Sequence, residues 1–176
     1  MKHRTLTLFV AAAMLMVVAP SSTQAGTITF GVALNGLNEV APNASPGSGF
    51  ATVVVDDVAN TVFVDLNFTG LTAPATAAHI HCCNGPGVNS PVIIGFVGFP
   101  NVVSGSYSNT FATTAANIAG IEAFGSYLNI HSANFPGGEI RGNLTAGTVV
   151  TPEPGSVALL GTGLLLILSA RRRFAR

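Results

Sequence analysis

Between residues 26 and 150 the chain has no lysine, no tryptophan and a single arginine, Arg141. The other six cationic side chains crowd the two ends, as Lys2 and Arg4, then Arg171, Arg172, Arg173 and Arg176. The formal neutrality of the whole chain therefore hides a middle in which Glu39, Asp56, Asp57, Asp65, Glu122 and Glu139 face Arg141 alone, a net charge of −5. A surface of that sign repels phosphate backbones, which excludes nucleic acid as a partner. The only two cysteines, Cys82 and Cys83, are neighbours and cannot staple distant parts of the chain, so the fold must rest on its hydrophobic core. Ser48, Ser106 and Ser126 have no His and Asp at a triad-like spacing, and no phosphate loop, dinucleotide fingerprint or Cys-x-x-Cys is present.

The ends have their own logic. Met1-Lys2-His3-Arg4, an apolar run from Leu6 to Ala19 and the small residue Ala25 read as a cleavable signal peptide over 1–25. At the other end come Pro152-Glu153-Pro154, an apolar segment from Ser156 to Ala170, then Arg171-Arg172-Arg173. The arginines would hold that end of a membrane helix on the cytoplasmic side. This tail, 151–176, resembles the PEP-CTERM sorting signal of exported bacterial proteins. The resemblance implies an exosortase-type sorting enzyme as partner, cleavage near Pro152–Pro154, and transient inner-membrane anchoring through the hydrophobic helix before delivery to the cell surface or beyond.

What remains, 26–150, is the size of one domain. Period-two alternation recurs along it without any long helical period. Strands are expected at Thr27–Leu34, Phe50–Asp56, Thr61–Phe68, Ala77–His81, Pro91–Phe99 (buried), Val102–Phe111 (exposed), Tyr127–His131 and Glu139–Thr145. The first long hairpin turns at Asp57-Val58-Ala59-Asn60. One short helix is expected over Thr113–Ala123, capped by Thr113 or Thr114 and ended by Gly125. These elements predict an all-β fold, an antiparallel sandwich or barrel of seven or eight short strands.

Asn35-Gly36-Leu37-Asn38-Glu39-Val40, Ala78-His79-Ile80-His81, and Tyr127-Leu128-Asn129-Ile130-His131 with Gly137-Gly138-Glu139-Ile140-Arg141-Gly142 resemble the CHRD domain, named from chordin. The resemblance spans about residues 28–145 and implies an extracellular β-domain without an established catalytic activity.

Alternation puts His79 and His81 on one strand face, with Ala78 and Ile80 toward the core. His131 shares a face with Tyr127 and Asn129, so a three-histidine site for copper or zinc is open to the chain. This pattern is similar to the copper ligands of the copper–zinc superoxide dismutases. No histidine lies between His81 and His131, so that family's loop of bridging and zinc ligands has no counterpart here. Cys82-Cys83 admits a vicinal disulfide, a Cys83 thiolate on the histidine face as a further ligand, or pairing with another molecule; oxidation after export favours the first. Glu139 and Arg141, two apart on one strand face, read as a surface ion pair; Arg141 could instead bond loop carbonyls or contact an anion. The sequence thus predicts a non-enzymatic exported surface or extracellular-matrix module, with polysaccharide or matrix components as partners. The alternative is a metal-binding or redox protein built on His79, His81 and His131.

Overall fold

The computed structural model describes residues 26–145 and 147–150; the expected signal peptide, 1–25, and the Pro-Glu-Pro, hydrophobic and arginine parts of the tail lie outside the described residues. The elements are β1 (Thr27–Asn35), a 3₁₀ turn (Gly36–Asn38), β2 (Ser48–Asp56), β3 (Thr61–Thr69), β4 (Ala75–His81), β5 (Val92–Gly95), β6 (Gly105–Ala112), α1 (Ala115–Glu122), β7 (Ser126–Ser132), β8 (Ile140–Leu144) and β9 (Gly147–Val150). The described strands run in the order β5-β4-β7-β8-β1-β2-β3-β6, all antiparallel, with β9 alongside the start of β1.

Local sequence accounts for the regular half. In β3, Val62, Val64, Leu66 and Phe68 alternate inward with Phe63, Asp65 and Asn67 outward, and β2 pairs with it in continuous register from Ser48↔Thr69 to Asp56↔Thr61. Asp56 turns the hairpin by accepting the amides of Val58 and Ala59, and Asn60 completes it in the left-handed region at φ 53. The inward sets of β1, β2 and β3 meet Ile80, Leu128, Ile130, Ile140 and Leu144 from β4, β7 and β8. Each such fully buried aliphatic side chain contributes about 1.5–3 kcal/mol relative to exposure.

The sheet curls until its two ends approach. Phe96 and Phe99, just after β5, stack on Tyr107 and Phe111 of β6 and on Phe68, and Tyr107 Oη donates to Val97 O at 2.8 Å. Aromatic packing thus nearly closes the barrel where strand pairing stops. Pro91–Phe99 is a strand only over Val92–Gly95, and Gly105 opens β6 instead of lying at its middle. The helix starts as expected, with Thr114 Oγ1 accepting the Asn117 amide, but stops at Glu122.

One departure matters for function. β7 is buried on both faces except at His131. Leu128 and Ile130 face the core, while Tyr127, Asn129 and His131 face a second, polar interior roofed by the loops 36–47, 82–91 and 133–138. That roof converts what alternation marks as a surface into a site.

Candidate metal centre

The polar interior is organised by strand neighbours. His79 and His81 on β4 sit opposite Asn129 and Tyr127 of β7, and His131 sits opposite Ala77. The small side chain at Ala77 leaves room for His131 to lean toward His79. His79 Nδ1 and His131 Nε2 are 3.1 Å apart, and one ligating nitrogen from each of the three rings lies within 4.8 Å of the others. Two nitrogens sharing one zinc at about 2.0–2.1 Å are separated by about 3.4 Å. The His79–His131 pair therefore already stands at a metal-sharing distance, and His81, within 4.8 Å of both, closes in by turning its ring.

Backbone carbonyls fix two of the tautomers. His81 Nδ1 lies 2.8 Å from Ser90 O, and His131 Nδ1 lies 2.9 Å from Pro136 O. A carbonyl can only accept, so both Nδ1 atoms carry the proton and both Nε2 lone pairs face inward. The second ring-orienting device is a stack: the His81 ring lies parallel to Tyr127 at 4.5 Å, and the Arg141 guanidinium lies 3.3 Å from the centroid of the same tyrosine. β7 runs between β4 and β8, so Tyr127 is sandwiched between imidazole and guanidinium.

Electrostatics keep His79 and His81 neutral. Burial, then the neighbouring rings of His131 and His81, lowers the His79 pKa to about 4. Burial likewise lowers that of His81, against the opposing hydrogen bond to Ser90. Neutral imidazole is the form that binds metal.

The remaining expected site residues fall as follows. Cys82 and Cys83 are joined in a disulfide, with Cys82 buried and Cys83 exposed, so no thiolate joins the histidines. Both sulfurs rest where a Cβ on Gly120 of α1 would stand, so only glycine fits there. Glu139 and Arg141 form no surface ion pair, since both are fully buried; Arg141 takes the other expected course and bonds a loop carbonyl. The loop roof is the reason. Glu139 Oε1 accepts Ser45 Oγ and the Thr72 amide, while Arg141 donates to Val88 O, Asn89 Oδ1 and Asn143 Oδ1. Those bonds occupy the guanidinium that was a candidate anion contact. Pro152, Glu153, Pro154 and Arg171–Arg173 lie outside the described residues.

Sequence reasoning placed Asn129 on the histidine face without giving it a role. Its Oδ1 is 3.1 Å from both His81 Nε2 and His131 Nε2. Its Nδ2 and the carboxyl of Glu39 meet over Gly138, where a Cβ would collide with both; φ 134 there also demands glycine. Burial raises the Glu39 pKa to about 7 despite the field of Arg141 and the Asn129 amide.

Residues 30–144 match the model of the CHRD domain. The chain belongs to the CHRD domain family. Within this CHRD domain the segments 35–40, 78–81 and 127–142 all contribute to the polar interior: the first supplies Glu39, the second two histidines, and the third Asn129, His131, Glu139 and Arg141. Residues 150–173 match the PEP-CTERM protein-sorting motif, which makes the chain an exported exosortase substrate with transient membrane anchoring before processing. No curated protein and no solved structure matches the chain significantly.

Proposed function

We propose that this is a non-enzymatic cell-surface or matrix protein whose CHRD domain holds one copper or zinc ion on His79, His81 and His131. The observation that carries the reading is the convergence of three imidazole nitrogens within 4.8 Å, two of them with lone pairs turned inward by Ser90 O and Pro136 O. As macromolecular partners we propose extracellular polysaccharide or matrix components, which suit the exposed Ser106, Ser108, Asn109 and Thr110 of β6.

The test is thermal unfolding of the exported, purified protein with and without added Zn²⁺ or Cu²⁺. An ion bound only by the folded state stabilises it by about 2.7 kcal/mol at a hundredfold excess over Kd. The wild type should gain that stability, and the His79→Ala/His81→Ala variant should fold but gain none. Equal response in both would leave a structural module whose histidines only bond one another and the roof loops, with His79 Nδ1–H donating to His131 Nε2.

A further inference from the structure

The oxygen of Asn129 stands in a place that hydrogen bonding does not explain. His81 Nε2 and His131 Nε2 both present lone pairs, because their Nδ1 protons are committed to Ser90 O and Pro136 O. Asn129 Oδ1, itself only an acceptor, lies 3.1 Å from each of them. His79 Nδ1–H can donate to His131 Nε2 at 3.1 Å, but nothing donates between Asn129 Oδ1 and the His81 Nε2 lone pair, a contact of two acceptors that a cation would relieve. Turning the amide over would relieve the conflict, but it would set the amide oxygen against the Glu39 carboxyl over Gly138, which an ionised Glu39 opposes. Glu39 is buried, and its Oε1 has no hydrogen-bond partner. A buried carboxyl with an unpartnered oxygen, next to a cluster of neutral lone pairs, is the arrangement that a bound positive charge would compensate.

Building on the three-histidine reading, we propose that Asn129 Oδ1 is the fourth donor of the metal centre, positioned by Glu39, and that the resulting set of three nitrogens and one oxygen takes a divalent ion, Zn²⁺ or Cu²⁺. The spacing fits. The two Nε2–Oδ1 separations and the Nδ1–Nε2 separation of His79 and His131 are all 3.1 Å. Donors of one tetrahedral zinc stand about 3.4 Å apart. A carbonyl oxygen is a hard donor that adds to the binding of a divalent ion and little to that of soft Cu⁺. The one source of soft donors near the site, Cys82 and Cys83, is locked in its own disulfide.

The experiment uses the full-length chain exported and purified as processed protein, as wild type, Asn129→Leu, Asn129→Asp and Glu39→Gln. Zn²⁺ and Cu⁺ affinities are measured by competition with chelators, and Co²⁺ absorption reports the donor set. Asn129→Leu should weaken Zn²⁺ by about 10–100-fold, the usual cost of disturbing a supporting or donor group. It should shift the Co²⁺ bands and leave Cu⁺ affinity unchanged. Glu39→Gln should weaken Zn²⁺ with the Co²⁺ bands in place. Asn129→Asp, which keeps shape and an oxygen donor, should still bind one Zn²⁺ and guards against a Leu variant that fails to fold. Equal weakening of Zn²⁺ and Cu⁺ in Asn129→Leu marks a structural asparagine and overturns the proposal, as do unchanged affinity and spectrum. Loss of all Zn²⁺ binding by Asn129→Asp overturns it too. Absence of any ion from the wild type overturns the three-histidine reading together with it.

Discussion

Replacing Arg141 with methionine should destabilise the domain by an amount that depends on pH through Glu39. The side chain is fully buried, donates at 3.0–3.3 Å to Val88 O, Asn89 Oδ1 and Asn143 Oδ1, and covers the face of Tyr127. Charge-assisted hydrogen bonds contribute about 1.5–3 kcal/mol each when well made. These are long, and Val88 and Asn89 are exposed and can turn to water, so together they amount to about 2 kcal/mol. The desolvated cation–π contact adds about 2 kcal/mol. Against this, the variant no longer buries a guanidinium, which returns a few kcal/mol. The net expectation is a loss of about 2 kcal/mol at pH 5, where Glu39 is protonated with or without Arg141. At pH 8 wild-type Glu39 is ionised and its charge is balanced by Arg141; without that cation its pKa rises further above 7, and the loss should grow by about 1 kcal/mol. Urea midpoints at pH 5 and pH 8 measure both numbers, provided the slope m is unchanged. A loss below about 1 kcal/mol at both pH values would show that desolvation cancels the contacts, and an equal loss at the two would remove the Glu39 coupling.

Glu39→Gln isolates the other half of that pair. A carboxyl raised to about 7 from 4.5 contributes stability that is present below pH 4.5 and lost as pH rises through 7, so the variant should show a flatter decline in urea midpoint over that window. His79 behaves oppositely in the metal-free protein: lowered to about 4 from 6.5, it contributes stability above pH 6.5 that is lost as pH falls toward 4, and its ring resonances should titrate near 4 by NMR once the ion is removed by a chelator. Gly120→Ala should cost about 1–3 kcal/mol by driving a Cβ into both sulfurs, and the cost should largely vanish in a Cys82→Ala/Cys83→Ala background; an additive double-mutant cycle would contradict the contact. Deleting residues 152–176 should leave the chain exported but unsorted, and full-length protein retained in the inner membrane with an intact tail would count against exosortase processing.

The sequence announced its fold wherever one face of a strand met the core and the other met water. β2 and β3 follow the alternation residue by residue because their outward residues stay exposed or half-exposed while their inward ones are buried. Pro91–Phe99 misleads because its apolar run is read as a strand throughout, whereas the pairing ends at Gly95, the chain turns at Gly98 with positive φ, and Phe96 and Phe99 pack as loop residues across the seam. Arg141 and Glu139 mislead for a different reason. A charge on a strand face is ordinarily a surface charge, and only the return of loops 36–47 and 82–91 over β7 and β8 makes it an interior one. That roof is a long-range property invisible to local pattern. The same holds at the site. The faces of His79, His81 and His131 were legible from period two, and Asn129 sat among them by the same rule. What the chain could not reveal was that Ser90 and Pro136 lock the ring protons outward, or that Glu39 arrives behind the asparagine.

The measurement that bears most directly on the account is the metal content of the exported, processed protein by elemental mass spectrometry, beside the His79→Ala/His81→Ala variant after both are exposed to equal Zn²⁺ and Cu²⁺ and desalted. The account predicts close to one zinc or copper per wild-type chain and none in a variant that unfolds cooperatively. A wild type that remains metal-free after reconstitution, or a variant that retains the ion, would contradict the claim that these three histidines form a metal centre.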